Sequence, residues 1–149
     1  MLHLGSTYLI VKNMQKSLEF YEKLLHMKVS AQAFNRWAQF NFDGKCIALY
    51  SCDYDNQMLE RGSDLDLHYN QQYITYFKER KIHYGNNMVL NFWVENLNEE
   101  YSRIKALMIG KVSEIMYINI SSPYYFFVID DPDGNTIEIT GSYTEPISI

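Results

Sequence analysis

The chain has 149 residues, 47% hydrophobic and 21% charged, with a formal net charge of -5. That length suffices for one domain burying roughly two thirds of the surface its unfolded chain would expose, so neither a disulfide nor a metal is required to hold it together. It has no Lys/Arg stripe and no apolar run near the ~20 residues of a membrane span, which argues against nucleic-acid and membrane partners.

The opening MLHLGSTYLIV lacks the basic region, long apolar stretch and small-residue cleavage site of a signal peptide. With Cys46 and Cys52 as its two cysteines, the expectation is a cytoplasmic protein with reduced thiols. Residues 8–11, YLIV, read as a strand. Asn13 then fits a helix N-cap, and Met14, Leu18, Tyr21 and Leu25 recur at helical spacing. WAQFNFDGKCIALY follows as two strands around the tight-hairpin signal Asp43-Gly44.

Residues 53–85 form a connector too long for an ordinary loop. Turn-like CDYDNQ and ERGSD precede a predicted helix at Gln71 to Lys81, and the segment is expected to cover a sheet edge or form a lid. The opening pattern then returns: VLNFWV at 89–94 reads as a strand, and Asn96-Leu97-Asn98-Glu99 as a capping box. Leu97, Tyr101, Ile104 and Leu107/Met108 follow at helical spacing. YFFVIDDPDGNTIEIT closes the pattern with two strands around an Asp-Gly turn. Val11 and Val94 are 83 residues apart, and Gly44 and Gly134 are 90 apart. The chain therefore repeats a βαβββ unit, at about 1–52 and 86–145. The fold class expected is α+β.

Two such units, with the stretches STYLIVKNMQKSLEFYEKLL, NFWVENLNEEYSRIKAL and DPDGNTIEI in order, resemble the vicinal oxygen chelate superfamily of glyoxalase I, bleomycin-resistance proteins and extradiol dioxygenases. The resemblance covers nearly the whole chain apart from the connector. It implies modules whose strands curl into a half-open barrel around a cavity, commonly in a homodimer.

Strand parity assigns the cavity face. Pairing Phe42 with Lys45 puts Trp37, Gln39, Asn41, Cys46, Ala48 and Tyr50 together, and the opening strands add Tyr8, Asn91 and Trp93. Applying the same rule to the last two strands gives Thr136, Glu138 and Thr140, with Tyr125, Phe127 and Ile129 opposite them. The candidate ligand-binding set is Tyr8, Trp37, Gln39, Asn41, Cys46, Tyr50, Asn91, Trp93, Phe127 and Glu138. It is an aromatic lining with sparse polar groups, as small-molecule sites usually have. Trp37, Trp93 and Tyr50 can stack on a flat or cationic ligand. Cys46 has no histidine expected beside it and reads as an inert small side chain. Asp131 and Asp133 read as turn residues.

In metal-dependent relatives a divalent ion is held from equivalent points of the two modules. Carried over, those positions fall on Ser6, Ala48, Val89 and Glu138, and only Glu138 supplies a carboxylate. His3, His26, His68 and His83 are not placed to compensate. No cofactor is therefore expected, and a divalent metal is the alternative. The function expected is a metal-independent small-molecule-binding protein of the bleomycin-resistance type, holding a drug or metabolite in an aromatic cavity. An enzyme of the same superfamily, metal-dependent or using Glu138 as general base, is the alternative, and a ligand-free interaction module is a third reading.

Overall fold

Strand and helix signals alternate in the sequence, and the computed structural model, which describes residues 1, 5–119 and 122–145, follows them. Its contacts group residues 1–19 and 27–84 into one compact unit and residues 20–26 and 85–149 into another. The connector thus belongs with the first.

In the first unit, β1 (Thr7–Ile10) leads to α1 (Met14–Leu25), whose later residues count with the second unit, and then to β2 (Ala31–Ala33), β3 (Trp37–Phe42) and β4 (Lys45–Tyr50). The sheet order is β1-β4-β3-β2, with β1 parallel to β4 and the other pairs antiparallel. Asn13 caps α1 by accepting from the Lys16 N–H at 2.9 Å. Met14, Leu18 and Tyr21 are buried as the helical spacing requires, and Leu24 goes deeper than the expected Leu25. The β3–β4 turn has Asp43 at φ 49° and Gly44 at φ 70°. Positive φ at both central positions matches the right-handed twist of the flanking strands and sets Phe42 opposite Lys45.

Three helices occupy the connector: α2 (Asp53–Arg61), α3 (Leu65–His68) and α4 (Gln71–Glu79). The expected helix at Gln71 to Lys81 is α4, capped by Asn70, which accepts from the Tyr73 N–H at 2.9 Å. The turn reading of CDYDNQ is corrected to a helix. Asp53 and Asp55 lie in the first turn of α2, where the helix dipole favours negative charge, and Gly62 ends it in the left-handed conformation.

Asp55 also fastens the connector to the sheet. Fully buried, it accepts from Arg36 Nε (2.8 Å), Tyr50 Oη (2.8 Å), Tyr69 Oη (2.7 Å) and Tyr73 Oη (2.7 Å). Beside it, Arg80 donates to Tyr50 Oη at 2.9 Å and Cys52 Sγ at 3.0 Å. Tyr50, Cys52 and Phe77 form a core there, with Ile10, Trp37, Leu59, Tyr73 and Ile82 packed against it. Burial pushes the Asp55 carboxyl upward, but the hydrogen bonds from Arg36 and the three tyrosines outweigh it and hold the pKa below the ordinary aspartate value.

The second unit repeats the order with β5 (Leu90–Val94), α5 (Leu97–Leu107), β6 (Met116–Asn119), β7 (Pro123–Asp130) and β8 (Thr136–Gly141). Its sheet runs β5-β8-β7-β6. Asn96 caps α5 by accepting from the Glu99 N–H at 3.2 Å. Each unit is a βαβββ module, and the fold class is α+β. The β7–β8 loop is organised by Asp131, which is more than a turn residue. Buried, it accepts from Asp133 N (2.9 Å), Asn135 N (2.8 Å), Asn135 Nδ2 (2.8 Å) and Tyr21 Oη (2.8 Å). Burial, and then the Asp131 charge, push the Tyr21 phenol far above its usual pKa, so it stays a donor.

Replacing Asp55 with Ala should cost about 3 kcal/mol at neutral pH, the low end for a broken buried pair because Arg36 keeps some solvent. Since the folded-state pKa is depressed, this contribution is complete above the unfolded value of about 3.9 and is lost as pH falls through the lower folded value. Urea melts of both proteins should therefore show a gap that narrows as pH falls; a gap unchanged across acid pH would contradict the charge-based account.

Candidate functional site

Strand register decides which side chains share a face. In the first unit Tyr8 pairs with Ala48, Gln39 with Ala48, Asn41 with Cys46 and Trp37 with Tyr50, so the residues expected on one face are together there. Trp37 Nε1 donates to Gln39 Oε1 at 3.3 Å, and Gln39 Nε2 donates to Asn41 Oδ1 at 2.6 Å, forming a polar row along β3. The Tyr8 ring stands edge-on to Trp37 with centroids 5.2 Å apart. Burial pushes the Cys46 thiol up, so the nucleophilic thiolate is disfavoured. Tyr50 departs from the expected open wall. It is 5% exposed and its hydroxyl is committed to Asp55 and Arg80, because the connector helices pack on this end of the face.

In the second unit β5 and β8 run parallel with Asn91 opposite Glu138 and Trp93 opposite Thr140. Asn91 Nδ2 donates to Glu138 Oε1 at 2.7 Å, so an amide on the neighbouring strand satisfies part of this carboxylate. Trp93 is 67% exposed. A cavity of about 620 Å3 is lined by Asn91, Trp93, Glu138 and Thr140 together with Tyr124, Tyr125 and Tyr143.

Phe127 is corrected. It is fully buried opposite Ile139 and meets the ring of Tyr101 on α5, with centroids 5.1 Å apart. Val128 takes the place opposite Glu138. The two-residue rule valid at Asp43-Gly44 inverts parity across a hairpin. Asp130 pairs with Thr136 around five residues held by Asp131, and that odd loop preserves parity. Even-numbered residues of β7 therefore share the Glu138 face, which brings in Tyr124. The loop length between the paired Asp130 and Thr136 was the signal that could have revealed it.

The positions that hold a divalent ion in metal-dependent relatives do not fit one here. The side chains of Ala48 and Val89 carry no ligand atom, which leaves the Ser6 hydroxyl and the Glu138 carboxylate, fewer groups than a divalent ion requires. Among the described residues no three His, Cys, Asp or Glu side chains form a group able to hold a metal. His26 follows α1, His68 ends α3 and His83 lies between α4 and β5, while His3 lies outside the described residues.

With two βαβββ modules in place, the sequence match is decisive: residues 2–139 match the Glyoxalase/Bleomycin resistance protein/Dioxygenase superfamily. The chain belongs to that superfamily. Solved glyoxalase-type structures share its fold. A protein from the mobile metagenome of V. Pseudocholerae is 20% identical, with 97% of each chain covered and a TM-score of 0.64. Lactoylglutathione lyase from Agrobacterium tumefaciens is 15% identical over 94% of this chain and 93% of its own, at 0.62. A glyoxalase/bleomycin resistance protein from Albidiferax ferrireducens T118 is 15% identical over 93% and 98%, also at 0.62. No curated protein sequence matches the chain. At these identities the likeness concerns the fold of the superfamily.

The face assignment predicts opposite costs for two aromatic truncations. Phe127→Ala should destabilise the protein by about 3–5 kcal/mol, and Trp93→Ala should stay within about 0.5 kcal/mol, in denaturant unfolding. The reverse order would show the β7 register to be misread.

Proposed function

We propose that this superfamily member is a metal-independent small-molecule-binding protein, sequestering a drug or metabolite that pairs a flat aromatic body with a cationic or hydrogen-bond-donating group. The observation that carries the reading is the Asn91–Glu138 pair beside the exposed ring of Trp93 on the wall of a 620 Å3 cavity. Asn91 occupies one carboxylate oxygen and fixes the side chain, leaving the other oxygen to receive a ligand donor. Trp93, Tyr124 and Tyr143 supply faces on which a cation or a ring can rest.

The catalytic alternative would use the same Glu138 as a general base. It needs an electrophilic or cationic partner to stabilise the charge that proton abstraction creates. The described residues lining the cavity include no Arg, Lys or His. Binding therefore accounts for the chemistry of this wall with fewer groups than catalysis requires. The reading includes a homodimer, as the resemblance implies, and the cytoplasmic setting expected of reduced thiols; no described helix is long and apolar enough to cross a membrane.

Benzyltrimethylammonium is a suitable probe. At ~100 times its dissociation constant it should stabilise the folded protein by about 2.7 kcal/mol in thermal melts. Glu138→Gln should weaken it about tenfold, the effect of removing the negative charge that attracts the quaternary ammonium, which has no N–H to donate. Unchanged affinity in Glu138→Gln would remove the recognition role of that carboxylate.

A further inference from the structure

We propose that the first unit carries a second small-molecule site, made by the β2–β3 turn and the connector helices, for a neutral planar ring whose edge bears an acceptor beside a donor. A cavity of about 710 Å3 opens there. Two aromatic pairs border it: Phe34 with Tyr54, centroids 4.9 Å apart and 17° from parallel, and Tyr69 with Tyr73, 5.3 Å apart and 11° from parallel. Flat faces of this kind favour an aromatic ligand over an aliphatic one.

The Tyr69–Tyr73 pair is held rigidly, since both hydroxyls donate to the buried Asp55. Phe34 is the less expected member. It is 70% exposed and has φ 52°, a conformation unfavourable for a bulky side chain. Burial gains little for such a residue, and strained backbone of this sort concentrates where a ligand is clamped.

The polar lining selects the ligand's charge. Arg36 spends Nε on Asp55 and Nη2 on Tyr73, which orients the guanidinium and leaves Nη1 as a fixed donor. Asp66 contributes an acceptor to the same lining, which His68 and Asn70 also share. An anion would meet Asp66 and a cation would meet Arg36. A neutral ring carrying a carbonyl for Arg36 and an N–H for Asp66 suits both.

The test is a titration of benzamide followed through the aromatic NMR signals of the full chain. Saturable shifts of the Phe34 and Tyr54 rings are expected, with cyclohexanecarboxamide, benzoate and benzyltrimethylammonium at least about tenfold weaker at these signals. Phe34→Gly should weaken benzamide about tenfold and leave the melting temperature unchanged or raised, because glycine accepts the positive φ. Glu138→Gln should leave benzamide binding unaltered, which separates this site from the one proposed above. Absence of saturable benzamide shifts, equal binding of cyclohexanecarboxamide, or a Phe34→Gly protein that keeps its benzamide affinity would overturn the proposal.

Discussion

A carboxylate taken out of water must be given donors, and much of this structure follows from where the chain meets that requirement. Asp55 receives an arginine and three tyrosine hydroxyls, and in doing so fixes the connector on one end of the first sheet. Asp131 receives a tyrosine and three groups of its own loop, and in doing so sets the register of β7 against β8. Glu138 is different. It accepts from Asn91 and lies on a cavity wall, half-buried. The first two are consumed by folding, whereas the third has acceptor capacity that folding does not use.

That distinction ties fold to function within the superfamily. The βαβββ repeat places β1 beside β4 and β5 beside β8, both parallel, so the repeat creates two equivalent cross-strand positions. In one module the pair is Tyr8 and Ala48; in the other it is Asn91 and Glu138. The same backbone geometry thus pairs a tyrosine with an alanine in one place and an amide bound to a carboxylate in the other. Neither pair offers the converging set of nitrogen and oxygen donors that a divalent ion demands.

Local chemistry made much of this legible in the sequence. Asn13 and Asn96 announce their helices because a short side-chain oxygen satisfies an orphan N–H, and Asp43-Gly44 sets its hairpin because few other dipeptides accept two positive φ values. Reading failed where a distant partner decided the outcome. The β7–β8 loop keeps parity because Asp131 closes a five-residue turn, which moved Phe127 to the helix-facing side. CDYDNQ became helical because Asp55 finds Arg36, Tyr69 and Tyr73, contacts that no local pattern encodes. Tyr50 lies on the face that strand parity assigns to it, but the same contacts bury it.

The central claim is that Glu138 serves a ligand directly and not through a metal. The measurement that tests it most directly is a calorimetric titration of benzyltrimethylammonium into protein stripped with a chelator, repeated after reconstitution with zinc, nickel, manganese or iron. The account predicts the same affinity in every case and no metal retained on elemental analysis. Stoichiometric metal whose binding is abolished by Glu138→Gln, with probe affinity that appears only in its presence, would contradict it.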